Sequence, residues 1–209
     1  MRIRPVTLSG RFVRLEPLSE SHILDLTHVC QDPSIWEYTV YGYVGNYEQM
    51  RAWVLELLSR QKQGSDLPFA VIHLESGRAI GATRYLEIDT YNRRVEIGGT
   101  WYGVAYQRTV VNTESKYLLL QHAFEELGCI RVQLKTDLRN TRSQRAIERL
   151  GAVKEGVFRN HMILPDGTIR HSIYYSIIDS EWPGVKAHLE ALLDRKSDPS
   201  GIEAKPASH

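Results

Sequence analysis

The 209-residue chain predicts an α/β (α+β) fold in which one mixed, mostly antiparallel sheet of about seven strands is flanked by helices. Three observations carry this. In VQLKTDLRNTRSQRAIERLGA, residues 132–152, the pattern switches from strand to helix across a polar turn: Val132 and Leu134 alternate with Gln133 and Lys135, and then Ala146, Ile147 and Leu150 share a helical face. Residues 69–74, 79–87 and 93–101 read as consecutive strands separated by the turn signal Ser76-Gly77 and by residues 89–92, an antiparallel meander. With 42% hydrophobic residues and no internal repeat, the chain can bury one good core and favours a single domain.

Each element follows from local pattern. RFVRLEPL, from Arg11, is a strand, and Ser19 caps a helix carrying Ile23, Leu24 and Leu26. Residues 36–46 form a loop rich in aromatic rings and glycine. Residues 47–63 form a helix with the apolar stripe Met50, Trp53, Val54, Leu57 and Leu58. After the meander come a loop and a helix over residues 113–127, with Tyr117, Leu120, Phe124 and Leu127 on one face. The strand and helix of residues 132–152 follow, with Asn140 as cap and Gly151 as the left-handed stop. A hairpin turning at Asp166-Gly167 ends at Ile178, residues 181–195 form a closing helix, and the polar, proline-bearing residues 196–209 are expected to be disordered.

Composition excludes several classes. Lysine and arginine number 26 against 25 acids, a net charge of +1, so there is no polyanion signal and nucleic acid is not an expected partner. No apolar run approaches the roughly 20 residues that span a bilayer. No signal-peptide pattern opens the chain, so the expected compartment is the cytoplasm. Cys30 and Cys129 have no metal or redox spacing and read as small hydrophobes.

The motif N-x-x-S-x-x-x-x-x-x-x-G-A from Asn140 to Ala152 resembles the coenzyme A-facing motif of the GNAT N-acetyltransferases. With HAFEELG upstream, and EGVFRNHMILPDGTIRHSIYYSI and EWP downstream, the chain is similar more narrowly to the ribosomal-protein-alanine N-acetyltransferase (RimJ/RimL) branch. The resemblance runs from Leu8 to about Leu193 and places a GNAT domain over residues 8–195. It implies acetyl-CoA as acyl-donor substrate, no metal, and an amine acceptor attacked directly in a ternary complex. A protein N-terminus or another primary amine would serve, in a monomer or homodimer. Alternatives are a small-molecule or aminoacyl amine acetyltransferase, a succinyltransferase, and a non-catalytic module that senses acyl-CoA or mediates interactions.

Three chemical tasks then select residues. The pyrophosphate calls for backbone donors at a helix N-terminus, where the family carries Q/R-x-x-G-x-G/A. Here Gln107, Arg108, Thr109, Val110, Val111, Asn112 and Thr113 occupy the segment without a glycine; Arg108 can compensate by charge, and Asn112 or Thr113 can cap the helix. The acceptor ammonium needs a base, and Glu96, mid-strand and opposed to Val95, Ile97 and Gly99, is the candidate through a water; the alternative is a glutamate paired with Arg84 or Arg94. For the departing thiolate, the position where many family members carry a tyrosine acid is Ile147. Ser143 becomes the candidate, with Asn140 bonding the pantetheine amides; plain helix capping is the other reading of both.

Trp36 and Tyr38 are candidates for an acceptor wall, with Tyr41 and Tyr43 beside them, half of these rings being core. A two-residue turn would set Met162 opposite His171 and His161 opposite Ser172, which argues against a shared metal. Arg139, Arg142, Arg145 and Arg149 read as a solvated face, Arg142 or Arg145 also being able to meet a coenzyme phosphate.

Overall fold

The structure, a computed structural model, describes residues 1–197; the expected tail lies outside the described residues from position 198 onward. One sheet holds β1 (Leu8–Ser9), β2 (Val13–Pro17), β3 (Leu67–His73), β4 (Arg78–Asp89), β5 (Arg94–Tyr102), β6 (Arg131–Asp137), β7 (Val153–Ile163) and β8 (Ile169–Ile178), in the order β1-β2-β3-β4-β5-β6-β8-β7. Every neighbouring pair is antiparallel except β5 with β6. The eighth strand, unexpected from the sequence, is β1, whose two residues are too few to leave a periodicity.

The helices are α1 (Ile23–Val29), α2 (Tyr47–Lys62), α3 (Val110–Gln121), α4 (Thr141–Glu148) and α5 (Trp182–Ser197). On one face, Leu118, Leu119 and Leu120 of α3, Ile147 of α4 and Val185 and Leu189 of α5 pack on Phe69, Tyr85, Val95, Ile97, Val132, Leu134, Ile173 and Tyr175. On the other face, Ile23 and Leu26 of α1 and Met50, Trp53, Val54 and Leu57 of α2 pack on Ala70, Ile72, Ala79, Ala82 and Trp101. This second layer sits on β3 and β4. The same face continues over β6 and β8 with polar side chains: strand pairing puts Gln133 and Ser176 in line with Glu96, Lys135 beside Tyr174, and Asp137 beside Ser172.

Two elements differ from the periodicity. α3 starts at Val110, not at residue 113, because the Thr109 hydroxyl accepts the Val111 N–H; Asn112 and Thr113 lie inside the first turn and are not its cap. It also gives way to a π-turn over His122–Glu126 in place of a straight run to residue 127. In the β7–β8 hairpin Leu164 N–H bonds Thr168 O, so the turn is wider than two residues and Met162 pairs with Arg170, not His171.

Glu114 ties the first hairpin to α3. Its buried carboxylate accepts the backbone N–H groups of Arg11, Phe12 and Val13, each at 2.7 Å. Gly10 makes room for it, since a Cβ there would collide with the carboxylate. Glu114→Ala would strand these donors, and should lower the unfolding free energy by on the order of 3 kcal/mol in urea titration; a loss under about 1 kcal/mol would contradict the role assigned to this anchor.

Candidate active site

β5 and β6 share register only over Arg94, Val95 and Glu96 against Arg131, Val132 and Gln133. β5 runs on to Tyr102 and β6 to Asp137 without further pairing, so the two strands open a wedge toward their C-terminal ends. A bulge bends β5 at this point. Against β4 the register passes from Arg84 opposite Gly98 to Ala82 opposite Trp101, one extra residue on β5. Gly99 takes φ +58, and a Cβ there would stand 2.8 Å from the Tyr41 hydroxyl and 3.1 Å from Arg84 Nε, so both the backbone conformation and the space demand glycine.

The parallel strands each lead into a helix, and the two helix starts meet at the wedge mouth. At the starts, Arg142 Nη1 in the first turn of α4 donates to Gln107 Oε1, just before α3, at 2.8 Å; at the other end of α4 its C-cap residue, Arg149, donates from Nη2 to Thr113 Oγ1 at 2.9 Å. Paired helix N-termini beyond the carboxyl ends of parallel strands form a site for an anion, through free N–H groups and aligned peptide dipoles. The donor set therefore suits a pyrophosphate. The missing glycines are accommodated simply: among residues 107–113 the one left-handed residue is Arg108, at φ +62 and exposed, while Val110 to Thr113 are helical. Asn140 Oδ1 accepts the Ser143 N–H at 2.9 Å, so that oxygen caps α4 and only its amide nitrogen is left to reach a ligand. Ile147, where a tyrosine acid was sought, is buried in the core.

At the wedge apex Glu96 is buried, on the face away from α3. Its partners are neither Arg84 nor Arg94, as the sequence suggested: Arg84 contacts Asp66 at 3.0 Å and Arg94 contacts Asp89. Instead Glu96 Oε2 accepts from Gln133 Nε2 and Lys135 Nζ, both at 3.0 Å. Lys135 also lies over the Tyr174 ring, 5.8 Å from its centroid. Beyond it, burial alone would raise the Asp137 carboxyl, but the bonded Arg139 guanidinium turns the balance downward. Arg170, also buried, donates from Nε to Ser172 Oγ at 2.9 Å and from Nη1 to Tyr38 O at 3.5 Å.

Of the two aromatic candidates, Tyr38 stands at this polar face, with the Arg139 guanidinium 5.8 Å over its ring. Trp36 does not. It is buried among Trp101 and Tyr41, and its indole N–H is used by Cys30 O, so it supports the loop and cannot line the cleft. Sequence reasoning missed Arg170 and Tyr174, gave Lys135 no role, and weighed His161 only as a metal ligand. For Lys135 and Tyr174 the signal was alternation, polar positions on strands whose other face is core. For His161 there was none.

Residues 13–153 match the family model of the acetyltransferase (GNAT) domain. Among solved structures, a GCN5-related N-acetyltransferase from Brucella melitensis is 30% identical with a TM-score of 0.87, over 97% of this chain and 90% of that one. A T. thermophilus structure described as an acetyltransferase is 39% identical with a TM-score of 0.84, over 92% of this chain and 100% of that one. A Bacillus subtilis (strain 168) protein named as a ribosomal N-acetyltransferase, YdaF, is 31% identical over 113 residues, 54% of this chain and 61% of that relative. This chain thus aligns with about three fifths of that relative's length, whose name agrees with the ribosomal-protein branch.

Behind the β5 bulge, Lys116 of α3 is buried with its ammonium on two neutral hydroxyls, Thr83 Oγ1 at 3.3 Å and Thr100 Oγ1. Burial pulls its pKa from 10.5 down to about 7. In the unfolded chain the amine keeps its ordinary value, so the unfolded state binds the extra proton between pH 7 and 10.5 and stability rises with pH across that window. Below it the cost is complete. Lys116→Met should therefore be more stable than wild type at pH 6, by on the order of 2 kcal/mol, with the gap closing toward pH 10 in urea titrations. A pH-independent gap would contradict the buried ammonium.

Proposed function

This chain belongs to the GNAT acetyltransferase family, and from that premise we propose that it transfers the acetyl group of acetyl-CoA to a primary amine delivered over Glu96, in a ternary complex. The observation that carries this reading is the wedge: the strand pair that separates after Glu96 and Gln133 opens onto the starts of α3 and α4, joined by Arg142 and Gln107, on one side and the Glu96 face on the other. A thioester seated in it would be reachable from that face.

The residues divide the work as follows. The amides of Val110 and Asn112 at the start of α3, with Arg108 beside them, grip the pyrophosphate; an arginine at the loop's left-handed position adds charge where glycine would add only freedom. Asn140 Nδ2 reaches the pantetheine, and the Ser143 hydroxyl, in the first turn of α4, protonates or bonds the departing thiolate. The Glu96 carboxylate draws the acceptor ammonium toward the wedge. Because its Oε2 is taken by Gln133 and Lys135, Oε1 is the oxygen left for the ammonium; it lies 3.1 Å from where a Gly98 Cβ would stand. This geometry favours ammonium binding over the general-base duty considered from the sequence. Tyr38 and Arg170 border the cleft. Both cysteines lie buried away from these groups, which favours direct attack over an acyl-enzyme. The acceptor class supported best is a protein N-terminus, by analogy with the name of the Bacillus subtilis relative.

Acetyl-CoA at a hundredfold excess over Kd should stabilise the fold by roughly 2.7 kcal/mol, visible as a melting shift; no shift at millimolar acetyl-CoA would rule the reading out. Glu96→Gln should leave that shift intact and lower kcat/KM for the amine about 10- to 100-fold, chiefly through KM, the scale of one charge-assisted hydrogen bond. An unchanged kcat/KM would remove Glu96 from the acceptor site.

A further inference from the structure

Resting on the reading above, we propose that His161 accepts the acceptor amine's proton through the Tyr174 hydroxyl, so that binding and deprotonation of the amine are divided between Glu96 and a Tyr174–His161 pair. The argument starts with the backbone. β7 and β8 are in register at Phe158 opposite Ser172 and again at Met162 opposite Arg170, which leaves three residues of β7 against His171 alone. Asn160 takes φ +49 in this bulge, and its N–H donates to His171 Nδ1 at 2.8 Å. The extra residues turn His161 onto the polar face, where His161 Nδ1 lies 2.9 Å from Ser172 Oγ and Nε2 lies 3.3 Å from Tyr174 Oη. A bulge with two extra residues that aims one imidazole at a serine and a phenol is better explained by a task for the imidazole than by strand pairing.

The pair is continuous with the Glu96 cluster. Tyr174 carries Lys135 over its ring, and Lys135 is bonded to Glu96. Ser172 is fixed from its other side by Arg170 Nε, so the serine oxygen holds the imidazole orientation through Nδ1 and leaves Nε2 to the phenol. Phe158 closes the group, with ring centroids 4.4 Å from Tyr174 and 5.6 Å from His161. Both His161 and Tyr174 remain partly exposed.

The proton accounting closes. The ammonium N–H bond breaks toward Tyr174 Oη as the phenol's own proton moves to His161 Nε2, leaving a neutral amine and an imidazolium. The amine lone pair forms the C–N bond, the C–S pair leaves on sulfur, and the second amine proton goes to the thiolate, giving amide and free thiol. The imidazolium then releases its proton to solvent, the one proton that the overall reaction yields. The groups facing His161 are Lys135 of β6, Arg170 and Tyr174 of β8 and Glu87 of β4; burial first, then the two cations, hold the imidazole below its ordinary value, so it is neutral and able to accept at pH 7.

Two measurements on the intact protein test this. In an NMR histidine titration, assigned by difference from His161→Gln, His161 should titrate below 6.5, its ordinary value. A midpoint at or above 7 overturns the proposal whatever the acceptor. Turnover is read as thiol release from acetyl-CoA with a panel of synthetic peptides bearing free N-termini. Release by wild type establishes the underlying reaction. Absence of release against every peptide counts against the acceptor class while the titration still decides the His161 claim. His161→Gln and Tyr174→Phe should each lower kcat by about 100-fold and flatten the acidic limb of the pH profile, with the acetyl-CoA melting shift kept. A variant that keeps that shift, wild-type kcat and the acidic limb overturns the relay.

Discussion

The arrangement of this molecule depends on the parallel pairing of β5 and β6 stopping after three residues. A parallel ladder of full length would join the two halves of the sheet and close the wedge. The bulge at Gly99 prevents this by bending β5 away, and it is enforced from two sides, by a left-handed backbone and by Tyr41 and Arg84 occupying the space of a side chain. Since each of these strands leads to a helix, their separation also brings the starts of α3 and α4 together at the mouth, where Arg142 bonds Gln107. One local backbone event therefore produces an anion site, a gap for a thin chain and access from the opposite face.

The polar face shows how charge can be kept near such a gap. Glu96, Asp137 and Asp66 are all buried, and each has a cationic partner: Lys135, Arg139 and Arg84. Burying these carboxylates alone would be prohibitive, and pairing them costs stability relative to an apolar face, an arrangement that selection keeps where the charges are used. Lys116 is the exception on the core side, an ammonium satisfied by hydroxyls behind the same bulge.

Much of the fold was legible because it rests on short-range patterns. The alternation of Val132 and Leu134, the cap at Asn140 and the stop at Gly151 specify a strand and helix with no tertiary information. The site was legible in part. Glu96 stood out as a carboxylate among apolar strand neighbours, but its partner was not legible, because Lys135 is 39 residues away and reaches it only through strand pairing. The cap of α3 was misplaced since threonine and asparagine both cap well, and only the backbone at Thr109 distinguishes them. Trp36 looked like a cleft ring because composition alone does not show that its N–H is spent on Cys30. The position of His161 depends on a bulge, which shifts strand register without leaving a sequence period.

The central claim is that coenzyme A lies in the wedge between β5 and β6 with its phosphates on the starts of α3 and α4. Amide hydrogen exchange with and without coenzyme A tests it most directly, because it reads each backbone segment separately. The account predicts slowed exchange at Gly98 to Tyr102 of β5, at Leu134 to Asp137 of β6 and at Val110 to Thr113, with the β1–β2 hairpin unchanged. Protection confined to another surface, or spread evenly over the sheet, would contradict it.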